Sequence, residues 1–419
     1  MPKNAIVLII DGLGTGCLGP YGISSGETEA FNRLASESIV ADHAMADSCD
    51  SALIYRSMLR GGHAGYPDEW YSDRLSLPTM AENQGIHSIW FGNQDSLKLP
   101  GANKFRQQVA FSQLLPTDNK LASTIEDMWM ARFFAESVEA IAQSPADSNL
   151  SWIHCPGMTA AWDAPHEFRM RSVGPEDPEP PMDARPPNLT YDHDDPDKRF
   201  EIECAYAGQV AALDLLLEAY FDAIKSLPGE TLLVVAGHRG YPLGQHNVIG
   251  LENANLQSET VHVPLFAKYP RSPGSSTTLA SAANHFRLQT LVQPSDVFAT
   301  LTDWFHMNAS SDANRALGSC LPNPAAERQE LAVSVNGDEL AIRTQFWFAR
   351  CFDEPDEEST DWCQLFLKPD DRWNLNDIAD RCPQVVADLR LLHARVRRSL
   401  AGGNLQTVEI PESLMSPVE

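Results

Sequence analysis

The run "AIVLII", residues 5–10, restricts the fold of this chain more than any other stretch. It is apolar throughout and rich in β-branched residues, with no polar alternation. A strand with one wet face alternates. A strand that does not alternate is buried on both faces, as in a parallel sheet covered by helices on either side. The run is too short to cross a membrane, is followed by no cleavage-site pattern, and runs straight into Asp11. It therefore reads as a first β-strand, and a cytoplasmic protein is expected.

Further segments repeat the texture. "LPTMAENQGIHSIWFGN" predicts a helix, a stop at Gly85 and a strand over Ile86–Phe91. "SWIHCPG" (151–157), "TLLVVAGHRG" (231–240) and "HVPLFAKYP" (262–270) read as further strands. Between them, "AYAGQVAALDLLLEAYFDAIKSL" (205–227) places apolar residues at 206, 210, 213, 217, 220, 221 and 224. That is the stripe of an amphipathic helix, ended by Pro228-Gly229. Strand–helix alternation of this kind predicts an α/β fold, a doubly wound and mostly parallel sheet with helices on both faces.

Residues 163–200 break the pattern. They are rich in Pro, Asp and Glu, and read as a surface excursion of the main domain, with a disordered linker as the alternative. From about residue 326 the texture changes again. "LAVSVNGDELAIRTQFWFARCF" alternates about Asn336-Gly337, a hairpin signal, and "VVADLRLLHARVRRSLAGG" is one amphipathic helix. The expected division is a main α/β domain over 1–325 and a small C-terminal α+β subdomain over 326–419.

Composition narrows the partners. The formal net charge is −26, which repels phosphate backbones and anionic membranes, so neither nucleic acid nor a membrane surface is expected. The eight cysteines form no CxxC pair, which argues against a zinc site and a disulfide framework.

In doubly wound sheets, ligands bind outside the carboxyl ends of the strands. Asp11, Asn93 and His238 fall just past expected strand ends. Asp11, His238 and Asp296 are the best-placed candidate ligands for a divalent ion. The glycines of "DGLGTGCLGPYG" fit neither the dinucleotide nor the P-loop spacing.

Several blocks, in order, carry a resemblance: "NAIVLIIDGLGTGCLGPYG", "FNRLASES", "RSMLRGGHA", "SLPTMAENQGIHSIWFGN", "LLVVAGHRGYPLGQHN", "VHVPLFAKYP", "PSDVFATLTDWF" and "LFLKPDDRWNLNDIAD". Together they resemble the sulfatase family of the alkaline phosphatase superfamily, from Asn4 to about Leu400. The resemblance implies hydrolysis of sulfate esters. The family's agents are a formylglycine made from a cysteine, a calcium ion held by Asp and Asn side chains, and lysines and histidines that balance charge.

This chain departs from that machinery. The family's N-terminal Asp pair becomes Asp11-Gly12. Anchoring the nucleophile motif on the helix that ends at Gly61 places Ser51 at the nucleophile, Leu53 at the proline and Tyr55 at the arginine. Arg56 is the neighbouring alternative for the arginine. The lysine and histidine of the family's "GKWH" become Asn93 and Asp95, and its "DHG" becomes Gly237-His238-Arg239. Asp11 and His238 are the metal-site residues that remain, a set predicting one weakly held divalent ion, calcium by resemblance, or none. Two readings stay open. One is a sulfatase-like pseudoenzyme with a protein partner. The other is a hydrolase of a small anionic sulfate or phosphate ester using rearranged groups, among them Ser51, Asp50, Tyr55, Arg56, His63, His154, His166 and His246. A phosphodiesterase or mutase of the same superfamily ranks below both, because it needs two Asp–His clusters.

Overall fold

The computed structural model describes residues 3–23, 28–112, 119–144, 147–190, 195–270, 286–307, 330–353 and 362–416. The strands are β1 (Lys3–Gly12), β2 (Ile39–Ala44), β3 (His87–Gly92), β4 (Gln107–Ala110), β5 (Asn149–Cys155), β6 (Leu189–Thr190), β7 (Glu230–Gly240), β8 (Val248–Ile249), β9 (Leu265–Lys268), β10 (Phe286–Val292), β11 (Ala332–Asn336), β12 (Glu339–Arg343), β13 (Trp347–Phe352) and β14 (Cys363–Leu367). The α-helices are α1 (Glu29–Ser36), α2 (Ser51–Arg60), α3 (Asp68–Ser72), α4 (Leu77–Asn83), α5 (Trp129–Ala142), α6 (His166–Arg169), α7 (Pro196–Lys225), α8 (Ser258–Val261), α9 (Pro294–Trp304) and α10 (Pro383–Ala401).

Eight strands form one sheet in the order β10-β2-β9-β7-β1-β5-β3-β4. The expected doubly wound, mostly parallel sheet is thus present, with β1 at its centre between β5 and β7. One strand differs from expectation: β9 runs antiparallel to both of its neighbours, β2 and β7.

β1 shows why its sequence does not alternate. Ala5, Val7 and Ile9 join one hydrophobic core, with Ile54, Met58 and Leu59 of α2 and Phe298 and Leu301 of α9. Ile6, Leu8 and Ile10 join a second, with Phe31 and Leu34 of α1, Phe133 of α5 and the stripe of α7. Odd and even residues are both desolvated, so neither position tolerates a polar side chain.

The stripe expected on α7 is buried at every position named, from Tyr206 to Ile224. The helix starts at Pro196, though, rather than at Ala205. Proline at the first turn lacks only an N–H that a helix start leaves unpaired. The Asp195 carboxylate accepts from the Lys198 N–H at 2.9 Å and caps that turn. The segment expected as a surface excursion therefore ends inside a helix. It also contains α6 and buries Asp163, Ala164, Phe168 and Arg169.

The C-terminal residues form a four-stranded antiparallel sheet, β11-β12-β13-β14, opened by the expected hairpin. One face, with Ala332, Ala341, Phe348 and Phe366, packs into the first core of the main sheet. The other, with Val333, Leu340, Ile342 and Trp347, is covered by Leu389, Leu392 and Val396 of α10. The boundary expected at 325/326 lies outside the described residues. Among the described residues no helix is long and apolar enough to cross a membrane.

The start of α1 is capped from another helix. Its own N-cap, Thr28, makes no side-chain cap. Instead the buried Asp214 carboxylate of α7 accepts from the N–H groups of Ala30 and Phe31 at 3.0 and 2.9 Å. Replacing Asp214 by Ala leaves two buried donors bare. We expect urea unfolding to show a loss of about 1–3 kcal/mol. Asp214→Asn keeps an acceptor oxygen and is expected to lose less.

Candidate functional site

Asp11 lies at the carboxyl end of the central strand, where the pairing of β1 with β7 shifts register between Ile10 and Gly12. It is 5 % exposed. Its carboxylate is gripped by a fork from the next strand. Arg239 Nε donates to Oδ1 at 3.0 Å and a terminal nitrogen donates to Oδ2 at 3.2 Å. The other terminal nitrogen of Arg239 donates to the Cys49 carbonyl at 2.8 Å, just ahead of α2. One guanidinium thus joins β1, β7 and the lead-in to α2. Burial opposes ionisation of Asp11, but the charge and hydrogen bonds of Arg239, with His238 close by, outweigh it. They hold the carboxyl well below the usual carboxylate range.

His238 precedes Arg239 on β7 and is fully buried. Its Nδ1 lies 3.3 Å from Asp11 Oδ1 without hydrogen-bond geometry. Packing holds the ring, which lies against Tyr55 with centroids 4.9 Å apart and edge-on to His154 at 5.9 Å. Tyr55 and His154 make a short contact of 2.6 Å between Oη and Nδ1, and Trp152 Nε1 donates to the Tyr55 oxygen at 3.5 Å. Burial first, and then His238 and Arg239, push His154 down to about 3 against the pull of Asp11. Burial also keeps Tyr55 protonated, well above its ordinary range. A neutral imidazole beside a protonated phenol assigns the hydrogen bond: Tyr55 donates and His154 accepts.

The other candidates disperse. Arg56 does not reach this group. It pairs with Asp68, donates to the carbonyls of Ala64 and Tyr66 and lies over the Tyr71 ring, so it is spent on the loop after α2. Asp296 is no strand-end ligand either. It sits in the first turn of α9 and forms a capping box with Gln293, and burial raises its carboxyl well above the usual range. Asn93 accepts from the Ser96 N–H and shapes the turn after β3. His63 binds the Val333 carbonyl and the Gly65 N–H, while His246 binds Glu259 and the Asn374 carbonyl. His166 opens α6. Ser51 is the first residue of α2, whose N-terminal donors at Ala52 and Leu53 are taken by the Asp50 side chain. Cys49 is a buried thiol pushed up to about 11, chiefly by burial.

The residues present do not fit a divalent ion at Asp11. Both of its oxygens already serve a fixed cation. Gly237 stands where the family's motif has a metal-binding aspartate. A Cβ there would lie 2.4 Å from the Leu13 carbonyl oxygen, so the backbone has closed over the space for such a side chain. Among the described residues, no three His, Cys, Asp or Glu side chains gather as a metal site. Arg239 went unassigned in the sequence reading. Its signal was a cation one residue after His238, in the place of the last glycine of "DHG".

The neutral His154 carries a pH dependence. Its value is about 3 when folded and about 6.5 when exposed. Between those values the unfolded chain takes up a proton that the folded chain refuses. Its contribution is therefore complete above about 6.5 and falls as the pH drops toward 3. We expect His154→Gln to flatten the fall in unfolding free energy between pH 7 and 5 by up to about 1.4 kcal/mol per pH unit. Urea titrations at several pH values measure it, and parallel profiles for the two proteins contradict it.

Comparison with known proteins agrees with the architecture. Among curated proteins none matches the chain in sequence. Solved structures match in fold. A phosphonate monoester hydrolase of Agrobacterium radiobacter superposes with a TM-score of 0.70 at 16 % identity, covering 96 % of this chain and 95 % of its own. A 2-O GAG sulfatase superposes with a TM-score of 0.67 at 14 % identity, covering 95 % and 92 %. A phosphonate monoester hydrolase from Silicibacter pomeroyi gives 0.62 at 15 % identity, covering 95 % of each chain. The sulfatase family model matches residues 3–307, most of the chain, and includes Asp11, His238 and Arg239. The chain belongs to the sulfatase family.

Proposed function

We propose that this sulfatase-family protein keeps the family's scaffold without its ester hydrolysis, and acts as a binding protein. The observation that carries this reading is the two-point grip of Arg239 on Asp11. A metal-dependent sulfatase needs an open cation at this point, to hold the sulfate oxygens and lower the pKa of the nucleophile. A guanidinium whose charge is already paired with the Asp11 carboxylate, and which cannot coordinate a nucleophile, offers neither. The nucleophile position supplies Ser51, and a serine hydroxyl needs an adjacent base or metal to attack. His154, whose ring lies edge-on to His238, is occupied by Tyr55.

The rearranged-hydrolase reading has one observation in its favour, the short Tyr55–His154 contact, which resembles a nucleophile and its base. Tyr55 is 0 % exposed, however, packed among Trp90, Trp152 and His238. A nucleophile that no ester can touch does not act. With hydrolysis set aside, the net charge of −26 favours a partner protein with a basic surface.

The test is hydrolysis of aryl sulfate, aryl phosphate and phosphonate monoesters by purified protein with calcium, magnesium or manganese. Each missing oxyanion-type contact removes about 10²–10³ in rate, so no turnover above the metal-only background is expected. Turnover that disappears in Asp11→Ala would overturn the proposal.

A further inference from the structure

The C-terminal sheet sets two cysteines opposite each other. Cys351 of β13 pairs in register with Cys363 of β14. Among the described residues no other strand pairing does this. Cys155 faces Ile10, and Cys17, Cys49, Cys204 and Cys382 lie outside the strands. No CxxC spacing marks the pair, so it comes from strand register alone.

The ladder fixes what kind of pair this is. Opposed residues of antiparallel strands alternate between pairs that exchange backbone hydrogen bonds and pairs that do not. The Phe352 N–H donates to the Trp362 carbonyl at 2.8 Å, and the Lys368 N–H donates to the Phe346 carbonyl at 2.7 Å. Both of those pairs are hydrogen-bonded, and the alternation leaves Cys351 and Cys363 in a pair that is not. Such pairs have Cα atoms about 4.5 Å apart, with their side chains at closest approach. A disulfide needs Cα atoms about 4.4–6.8 Å apart. Directly opposed residues also point to the same face of a sheet. Both thiols enter one apolar layer, with Ala349, Leu365 and, from α10, Leu389 and Leu392.

That layer decides when the thiols can react. Burial, the chief cause, pushes Cys363 up to about 12 and Cys351 well above its usual range, with the Cys363 thiol the next influence on Cys351. A thiol attacks only as its thiolate, so the folded, covered pair is inert toward an outside reagent. Bond formation belongs to the folding chain, or to a local opening of β14, the edge strand of its sheet. The thiols are then in water, and strand pairing brings them together.

We propose that Cys351 and Cys363 form a disulfide when the chain folds in contact with a small-molecule disulfide such as oxidised glutathione. One cysteine thiolate attacks a sulfur of the oxidised glutathione, giving a mixed disulfide and one glutathione thiolate. The second cysteine thiolate attacks the protein sulfur of that mixed disulfide, forms the Cys351–Cys363 bond and releases the other glutathione. The protein pair gives up two electrons and two protons, and the glutathiones take up both. The bond pins the edge strand β14 to β13 beneath α10. It is independent of whether the Asp11 group hydrolyses anything.

The full chain is unfolded in urea with reductant, refolded in a buffer of reduced and oxidised glutathione, and treated with iodoacetamide to block the remaining thiols. A glutamyl endopeptidase cuts after Glu357 and Glu358, between the two cysteines, and mass spectrometry without reduction identifies linked peptides. The Cys351 and Cys363 peptides are expected to be joined in most chains. Cys363→Ala is expected to abolish that linked pair. Folded protein held in the same buffer with urea below its unfolding midpoint, where an edge strand opens locally, is expected to give the same map without refolding. Both cysteines alkylated in the wild-type protein, or either joined to a different cysteine, overturns the proposal.

Discussion

The ion pair between Asp11 and Arg239 organises the carboxyl end of this sheet. A buried carboxylate with no partner would be driven to its neutral form or would unfold the strand end. Here two nearly coplanar donors meet two oxygens, the geometry at which a guanidinium binds best. The same guanidinium ties the Cys49 carbonyl, so the strand end, its neighbour and the start of α2 share one clamp. A divalent ion could neutralise Asp11 too, but it would need further oxygen ligands around it. A guanidinium carries its own geometry and asks nothing more of the fold.

That economy explains what surrounds it. The backbone at Gly237 packs against the Leu13 carbonyl, where a Cβ would lie 2.4 Å from its oxygen. Tyr55 stands at the arginine position of the family's nucleophile motif, yet its ring lies among Trp90, Trp152, His154 and His238. Aromatic rings and a neutral imidazole fill the space around it. Three of the polar groups are hydrogen-bonded in sequence, Trp152 to Tyr55 to His154, while both ring nitrogens of the buried His238 have no hydrogen-bond partner.

Much of the architecture was legible in the residues because it rests on local rules. The unalternating run of β1 announces two covered faces. The stripe from Tyr206 to Ile224 announces a helix with one buried side, and Asn336-Gly337 announces a hairpin. The antiparallel course of β9 was not legible, because a short apolar strand carries no mark of direction, and its neighbour β2 lies far off in sequence. The Tyr55–His154 contact spans 99 residues and had no local sign. Asp296 did have one. Gln293, Pro294 and Asp296 are spaced as a capping box with proline at the first turn, a stronger local signal than its strand-end position. Arg56 was drawn in by its closeness to a motif, and the carbonyls of a nearby loop hold it instead.

The central claim is that a fixed guanidinium stands where a sulfatase holds its metal. Metal content decides it most directly. Protein purified in the presence of calcium is dialysed and analysed for divalent ions by mass spectrometry, and its melting temperature is measured with calcium and with a chelator. The account predicts a small fraction of one ion per chain and the same melting temperature in both conditions. About one tightly held divalent ion per chain, lost together with stability on chelation and lost in Asp11→Ala, contradicts it.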